Sequence, residues 1–285
     1  MVASFSRPAY VLVTHGSPDP RPGAALEALT VAMGEGLEQG SGDRAPKISP
    51  IVRGAELECR EMSLARQLIV IHNEAQELGC DGLVVVPLFL SAGVHAMEDI
   101  PEAIAEAKEK LAALGKISDA VSPESPLPIE TAPVLGKHPA WSTWVRSYWQ
   151  TYLQRSHIPV VVAHGTRRVG GNQKMEGLAR SLGARLAFWS IDPKLPETIG
   201  AIAAQGQTQL TLLPYFLFEG GITDRIIRQL DTALDELNQQ YPALEISQIK
   251  PFGQSAAFAD FLVNAYGSEQ LAETEAADSR ELSLT

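Results

Sequence analysis

Along the chain, short runs of apolar residues alternate with longer amphipathic stretches, which is typical of an α/β fold with a mainly parallel sheet. Tyr10–Thr14 is the first predicted strand, and Gly82–Phe89 is apolar throughout, as expected of a strand that helices cover on both faces. Between them, apolar residues at steps of three and four predict a helix over Glu61–Leu78. Asp99 is predicted to cap the next helix, with Pro101 in its first turn.

Two segments of the first half return in the second half. VTHGS at Val13–Ser17 returns as VAHGT at Val162–Thr166, and VPLFLSAG at Val86–Gly93 returns as LPYFLFEG at Leu213–Gly220. The interval between the copies is far longer than the roughly 20–50 residues of a solenoid repeat. The pattern therefore indicates a duplicated domain.

The duplication predicts two α/β domains, each with a mainly parallel four-stranded sheet flanked by helices. Their predicted bounds are residues 1–136, which would carry the active site, and residues 137–267, which would be a degenerate repeat. Residues 268–285 are acidic and lack apolar periodicity, so they are predicted to form a disordered tail. Because one chain supplies both halves, a monomer is expected.

Charge and cysteine content narrow the class of protein. The formal net charge of −11 argues against a nucleic-acid partner, because nucleic acids are bound by basic surfaces. No apolar run reaches the roughly 18–20 residues of a membrane-spanning helix, so no membrane partner is expected. The two cysteines, Cys59 and Cys80, have neither zinc-site nor CxxC spacing, and the N-terminus does not resemble a signal peptide. A reducing compartment, the cytoplasm, is predicted.

Three residues suited to metal or proton chemistry follow predicted strand ends in the first half. His15 closes the first strand, Glu58 follows the second, and His95 lies six residues past Phe89. Ligands of an open parallel sheet bind beyond the carboxyl ends of its strands, so these side chains are expected to converge. Each alone is more often a loop hydrogen-bonding group, but two imidazoles and a carboxylate together suit a late first-row divalent ion.

Three motifs surround these residues: THGSPDPR at Thr14–Arg21, LE at Leu57–Glu58 followed by SL at Ser63–Leu64, and PLFLSAGVHAMEDIP at Pro87–Pro101. Together they resemble the class II tetrapyrrole chelatases, and within that class the sirohydrochlorin cobaltochelatase/ferrochelatase family in its long two-domain form. The third motif is long and specific, whereas HGS alone carries little information. The resemblance covers both halves and so nearly the whole chain.

The resemblance implies an enzyme that inserts Co²⁺ or Fe²⁺ into sirohydrochlorin with release of two protons, in cobalamin or sirohaem biosynthesis. It implies that His15 binds the metal and accepts a proton, that His95 is the second metal ligand, and that Glu58 contacts the macrocycle and takes part in catalysis. The metal would be a co-substrate, and no tightly bound cofactor is expected. The remaining implied substrate-binding residues are Leu90, Ser91, Ala92, Gly93 and Val94.

The substrate of such an enzyme carries carboxylates around its rim, and arginine is a suitable partner for them. The candidates, all near predicted strand ends, are Arg21, Arg53, Arg167 and Arg168. Each is equally well explained as a solvated surface residue.

Two other interpretations fit parts of the pattern. A histidine phosphatase also has a His-Gly pair after its first strand, but it needs an arginine directly before the histidine, where this chain has Thr14. A non-catalytic tetrapyrrole or metal carrier on a chelatase fold stays open, although a carrier has no need of a base beside a metal ligand. Turnover of metal-free sirohydrochlorin distinguishes the carrier from the enzyme.

The gapless alignment of the repeats compares the candidate residues of the two halves. His164, Ser190 and Ile222 stand where the first half has its first histidine, its glutamate and its second histidine. One imidazole is too few for a useful metal site. The second half is therefore predicted to be structural.

Overall fold

The structure is a computed structural model, and it describes residues 5–40, 50–91, 93–117 and 126–267. As predicted, it contains two sheets of four parallel strands, each flanked by helices. The segment 268–285, predicted to be a disordered tail, lies outside the described residues. No helix in the described part of the chain is long and apolar enough to span a membrane.

The first sheet and its helices comprise β1 (Pro8–Thr14), α1 (Pro20–Gly40), β2 (Val52–Glu56), α2 (Leu64–Glu77), β3 (Gly82–Pro87), α3 (Ile100–Ile117) and β4 (Ile129–Thr131). The strand order is β2-β1-β3-β4, and every pair is parallel. The central strands β1 and β3 are buried along their whole length, because helices cover both faces of the sheet.

Helix α2 shows how the local sequence determines where an element begins. The hydroxyl of Ser63 accepts a hydrogen bond from the backbone N–H of Arg66, which satisfies one of the unpaired donors at the helix start. Leu64, Leu68 and Ala75 are buried on the face that packs against the sheet. The helix therefore begins three residues later than the periodicity alone predicted.

The predicted cap at Asp99 is wrong. The chain is already helical at Val94, and a π-helical turn spans His95–Asp99 before α3 continues without a break. The Ile100 N–H donates to the His95 carbonyl five residues back, which is the spacing that defines a π-helical turn. Asp99 thus lies inside a continuous helix, and its carboxylate contacts another side chain instead of the backbone.

The second sheet and its helices comprise α4 (Trp141–Gln150), β5 (Ile158–Ala163), α5 (Gln173–Ser181), β6 (Arg185–Phe188), α6 (Leu195–Ala203), β7 (Gln209–Pro214), α7 (Gly221–Gln240) and β8 (Glu245–Gln248), and the last helix is α8 (Ala256–Tyr266). The strand order β6-β5-β7-β8 repeats that of the first sheet, again with every pair parallel. The duplication read from the sequence is therefore a duplication of topology.

By their internal contacts, the described residues form two compact units. The first comprises the chain up to Trp141 together with α8, and the second spans residues 142–255. The sequence-based division at residues 136/137 had placed α8 in the second domain, whereas α8 packs on α1 in the first unit.

Aromatic packing accounts for the place of α8. The Tyr266 hydroxyl donates to the Pro133 carbonyl at 3.1 Å. The His138 ring lies 5.2 Å from the Tyr266 ring and 5.8 Å from the Phe261 ring, and all three side chains are buried. Burying this apolar area stabilises α8 against the first unit, independently of which repeat it belongs to.

Candidate metal centre

Three predicted site residues emerge at the carboxyl edge of the first sheet. His15 directly follows β1, Glu58 lies two residues past β2, and His95 begins the π-helical turn after β3. The β1–β2 pairing continues past both strand ends, since the Leu57 N–H donates to the Thr14 carbonyl at 3.0 Å and the Glu58 N–H to the His15 carbonyl at 2.9 Å. The backbone therefore holds Glu58 beside His15.

Gly16 makes this close approach possible. Its φ of +91° lies in the left-handed region that favours glycine, and an added Cβ would stand 2.1 Å from the Glu58 carbonyl oxygen. The His-Gly pair of the motif thus has a physical reason. The histidine supplies the imidazole, and the glycine lets the exit of β1 pass against the exit of β2.

The imidazole rings of His15 and His95 meet edge to face, with their Nε2 atoms 3.3 Å apart and their centroids separated by 4.6 Å. One Glu58 carboxylate oxygen lies 4.0 Å from the His15 Nε2, and one ligand atom from each of the three residues falls within 4.8 Å of the others. Among the residues that the structure describes, this is the only group of three or more His, Cys, Asp or Glu side chains placed to share a metal ion.

The neighbours of the two Nδ1 atoms indicate the tautomer of the His15 and His95 rings. The His15 Nδ1 lies 3.3 Å from the Gly16 carbonyl oxygen, and the His95 Nδ1 lies 2.6 Å from an Asp99 carboxylate oxygen. Both neighbours are acceptors, which favours the tautomer with the hydrogen on Nδ1 and the lone pair on Nε2. Two nitrogen ligands about 2.0–2.1 Å from one ion at a tetrahedral angle are about 3.3 Å apart, which is the separation observed.

The centre is open to solvent. The side chains of His15, Glu58 and His95 are 49%, 52% and 41% exposed. A large flat ligand can therefore approach these three residues directly. The exposure also leaves coordination positions of a bound ion to water or to a substrate nitrogen.

The loop that carries Glu58 is held by hydrogen bonds from the Gln67 side chain on α2. The Gln67 side-chain amide donates to the Glu56 carbonyl at 2.8 Å and to the Met62 carbonyl at 3.0 Å, and its oxygen accepts from the Glu56 N–H at 3.1 Å. The buried Glu56 carboxylate forms an ion pair with Arg60. These contacts hold both ends of the loop and leave the Glu58 side chain exposed near its start.

The loop before His95 was predicted to bind the substrate. Ser91 and Val94 are exposed, Leu90 and Gly93 are partly exposed, and Ala92 lies outside the described residues. Two backbone hydrogen bonds fix the start of this loop: the Leu88 N–H donates to the Val13 carbonyl and the Gly136 N–H to the Phe89 carbonyl, both at 2.8 Å.

A comparison with protein-family models finds a match over most of the chain. The CbiX family model matches residues 9–151 and 159–269. The chain belongs to the CbiX family. This membership confirms the resemblance to the sirohydrochlorin chelatases that the three motifs indicated, and it makes tetrapyrrole metal chelation the chemistry of the family. No curated protein matches the chain in sequence.

Two solved structures share the CbiX fold of this chain. SirB from Bacillus subtilis, determined with Fe³⁺, has a TM-score of 0.61 at 19% identity and covers 92% of this chain and 97% of SirB. DR2241 from Deinococcus radiodurans, a multi-domain protein described as structurally similar to chelatases, has a TM-score of 0.60 at 18% identity and covers 92% of this chain and 55% of that protein. At these identities the likeness establishes the fold alone.

The second unit of this CbiX chain repeats the backbone pattern without the ligand set. The Ser190 N–H donates to the His164 carbonyl at 2.8 Å, as the Glu58 N–H does to the His15 carbonyl. This contact supports Ser190 as the counterpart of Glu58, and Ile222 occupies the position of the second histidine. Only one imidazole of the ligand set is left in this unit.

The four arginines predicted to bind the carboxylates of the substrate have different surroundings in the structure. Arg21 is engaged by Asp19 at 2.6 Å, and this hydrogen bond from Arg21 lowers the pKa of Asp19 to about 2. Arg53 is the second residue of β2 and so lies near a strand end, but at the amino end, away from the carboxyl edge that carries His15, and it pairs with Glu74 on α2. The other two candidates, at positions 167 and 168, are exposed in the loop after β5.

Sequence reasoning missed two side chains that contact the π-helical turn His95–Asp99. The Asp99 carboxylate contacts the His95 Nδ1, and the i,i+4 spacing of these residues on a helix was the available signal. The Lys137 ammonium lies 3.8 Å from the Met97 sulfur within the same helical turn, and it forms no ion pair with a carboxylate of the described residues. No sequence pattern connects Lys137 to this turn, because the contact spans 40 positions.

Proposed function

We propose that this chain is a sirohydrochlorin chelatase that inserts Co²⁺ or Fe²⁺ into sirohydrochlorin with release of two protons. The observation that carries the proposal is the convergence of the His15 and His95 Nε2 lone pairs 3.3 Å apart at an open sheet edge, with the Glu58 carboxylate beside them. Such a set can hold a divalent ion without enclosing it. Membership of the CbiX family supports the tetrapyrrole as the second substrate.

The reaction exchanges two pyrrole N–H protons for one divalent metal ion. The ion enters as a substrate, held by His15 and His95, and the exposed ring edges leave room for a macrocycle nitrogen to replace a water. Glu58 accepts one departing proton while the ion is held, and His15 accepts the other at Nε2 once the ion has passed to the macrocycle and that lone pair is free; both side chains are exposed and can pass the protons to solvent. No tightly bound cofactor is required for this exchange.

The substrate is fringed with carboxylates, so a cation near the histidines is part of the proposal. Lys137 is the cation whose ammonium lies against the turn that carries His95, whereas Arg21 and Arg53 are already paired with carboxylates of the chain. Exposed Arg167 and Arg168 stay candidates as cations of the second unit.

The experiment that tests this function is multiple turnover. Metal-free sirohydrochlorin in excess over protein is mixed with Co²⁺ under anaerobic conditions, and the absorption change of metallation is followed against the rate without protein. An enzyme metallates many equivalents, whereas the alternative, a non-catalytic tetrapyrrole or metal carrier, stops after one equivalent. A competition with Fe²⁺ then tests the metal, for which SirB, determined with Fe³⁺, makes iron a candidate.

The cellular setting is part of the same proposal. Cys59 and Cys80 are both free thiols, which suits a reducing compartment, and we place the activity in the cytoplasm. Cobalt insertion would serve cobalamin biosynthesis and iron insertion sirohaem biosynthesis. The internal duplication favours a monomer, and gel filtration with light scattering measures this directly.

A further inference from the structure

We propose that Asp99 is a positioning residue that holds His95 in the tautomer whose Nε2 lone pair faces the incoming metal ion. The inference rests on the proposed function, in which His95 is a metal ligand. Its starting point is the 2.6 Å contact between the His95 Nδ1 and an Asp99 carboxylate oxygen. Because an ionised carboxylate only accepts hydrogen bonds, the hydrogen of a neutral His95 ring resides on Nδ1.

The contact is maintained in an exposed place, where water competes for both groups. The His95 and Asp99 side chains are 41% and 39% exposed. Both belong to the π-helical turn His95–Asp99, so one short backbone segment determines the position of the ring and of its partner. π-Helical turns are rare and occur frequently at functional sites.

The internal duplication offers a comparison within the same chain. The Leu88 N–H donates to the Val13 carbonyl and the Tyr215 N–H to the Val162 carbonyl, both at 2.8 Å, which aligns β3 with β7. Counting on from these positions without a gap, the counterparts of the histidine and the aspartate are Ile222 and Ile226.

The second unit has therefore lost the ligand and its carboxylate together. Ile226 is buried in the core of that unit, and regular helix α7 replaces the π-helical turn. Helix α7 has its acidic first-turn residue at Asp224, two positions before Ile226. A carboxylate at the Asp99 position is therefore found only in the unit that also has the second histidine.

The chemical consequence follows from how imidazole binds metals. A ring whose Nδ1–H donates to a carboxylate is fixed in orientation and is a more basic ligand at Nε2. Loss of such a partner typically lowers metal affinity by about 10–100-fold. Asp99 does not touch the ion or the tetrapyrrole, so its effect on the reaction passes through His95.

The test compares Asp99→Leu and Asp99→Asn with a control, Glu106→Gln. Glu106 is an exposed carboxylate of α3 that pairs with Lys110 at 2.5 Å, so the control removes a comparable i,i+4 charge pair away from the histidines. The first readout is Co²⁺ titration of the protein alone, followed by visible absorption. The second is the tautomer of His95 in the metal-free protein, from long-range ¹H–¹⁵N correlations of the imidazole.

We expect Asp99→Leu to weaken Co²⁺ binding by about 10–100-fold and to lose the Nδ1–H tautomer preference. Asp99→Asn should weaken Co²⁺ binding several-fold, because its amide oxygen still accepts the hydrogen bond but lacks the charge. Glu106→Gln should bind Co²⁺ as the wild type does. If Asp99→Leu does not fold, the loss in Asp99→Asn decides. Unchanged Co²⁺ affinity and an unchanged His95 tautomer in the Asp99 variants would overturn the proposal.

The two proposals fail in different ways. A wild type that metallates sirohydrochlorin while the Asp99 variants match it in metal binding overturns only the role of Asp99. Asp99-dependent binding of Co²⁺ without turnover of sirohydrochlorin overturns only the chelatase function. A wild type that binds neither Co²⁺ nor Fe²⁺ overturns both.

Discussion

Replacing Gly16 by alanine should separate the exits of β1 and β2 and thereby dismantle the metal centre. The added Cβ would stand 2.1 Å from the Glu58 carbonyl oxygen, whereas real Cβ contacts essentially never fall below 3.0 Å, so a gap of at least 0.9 Å must open. The obstacle is backbone, which cannot rotate away as a side chain can. The hydrogen bond from the Glu58 N–H to the His15 carbonyl is the contact that yields.

The magnitude follows from the two costs. An alanine in the left-handed region at φ +91° costs about 1–2 kcal/mol, and the lost hydrogen bond costs about 0.5–1.5 kcal/mol. The free energy of unfolding should therefore fall by about 1.5–3.5 kcal/mol. A displacement of about 1 Å at a reacting group can cost about 100-fold in rate, so chelation should suffer more than stability does.

Gly165→Ala is the matched control in the second unit. Gly165 follows His164 as Gly16 follows His15, and its φ is +78°, so the backbone strain is similar. Its added Cβ would meet side-chain atoms, the Ile191 Cγ1 at 2.8 Å and the Phe188 Cβ at 2.9 Å, instead of a carbonyl. We therefore expect Gly165→Ala to lower stability without reducing Co²⁺ affinity.

The assay pairs thermal unfolding with Co²⁺ titration and the rate of sirohydrochlorin metallation in both variants. Gly16→Ala should lose at least tenfold in Co²⁺ affinity relative to Gly165→Ala. Equal Co²⁺ affinity in the two folded variants would refute the reasoning, because the glycine would then not hold the glutamate loop against the first histidine.

Three further predictions concern the ligands, a buried histidine and the rim cation. His95→Ala should reduce metallation at least 100-fold and His164→Ala less than twofold, since the second unit lacks the other ligands; equal losses in the two folded variants would contradict this. Burial lowers the pKa of His138 in the folded protein below its ordinary value of 6.5. Because the unfolded chain then binds a proton more readily, the free energy of unfolding should fall as the pH drops below 6.5. This pH dependence should be weaker in His138→Gln. Melting temperatures that fall equally from pH 7.5 to 5 in the wild type and the variant would contradict the prediction. Lys137→Gln should raise the KM for sirohydrochlorin about two- to fivefold with little change in kcat, as expected for loss of an exposed ion pair with the substrate. The control Lys110→Gln should leave KM unchanged. KM values with the same salt dependence in the two variants would contradict the role of Lys137.

The residue pattern alone determined the fold class, the duplication and the family. Strands covered on both faces read as continuous apolar runs, and helices read as a period near 3.6, so β1, β3 and α2 were visible without any tertiary information. The convergence of His15, Glu58 and His95 was also predictable from the sequence, because parallel strands bring their carboxyl ends to one edge and the motifs place these residues there.

The tertiary structure decided what depends on contacts between distant positions or on where a helix begins. The predicted domain boundary followed the sequence similarity between the two repeats. The unit to which α8 belongs is decided instead by the aromatic surface that it buries, which includes His138, far earlier in the chain. Arg53 was predicted near a strand end, and the structure decides which end: it is the second residue of β2, at the amino end, where it pairs with Glu74. Asp99 matched a helix cap by its residue type, but the turn had already begun before it, so its carboxylate pairs with His95. Local propensity specifies which elements form, whereas long-range packing selects the partner of each polar side chain.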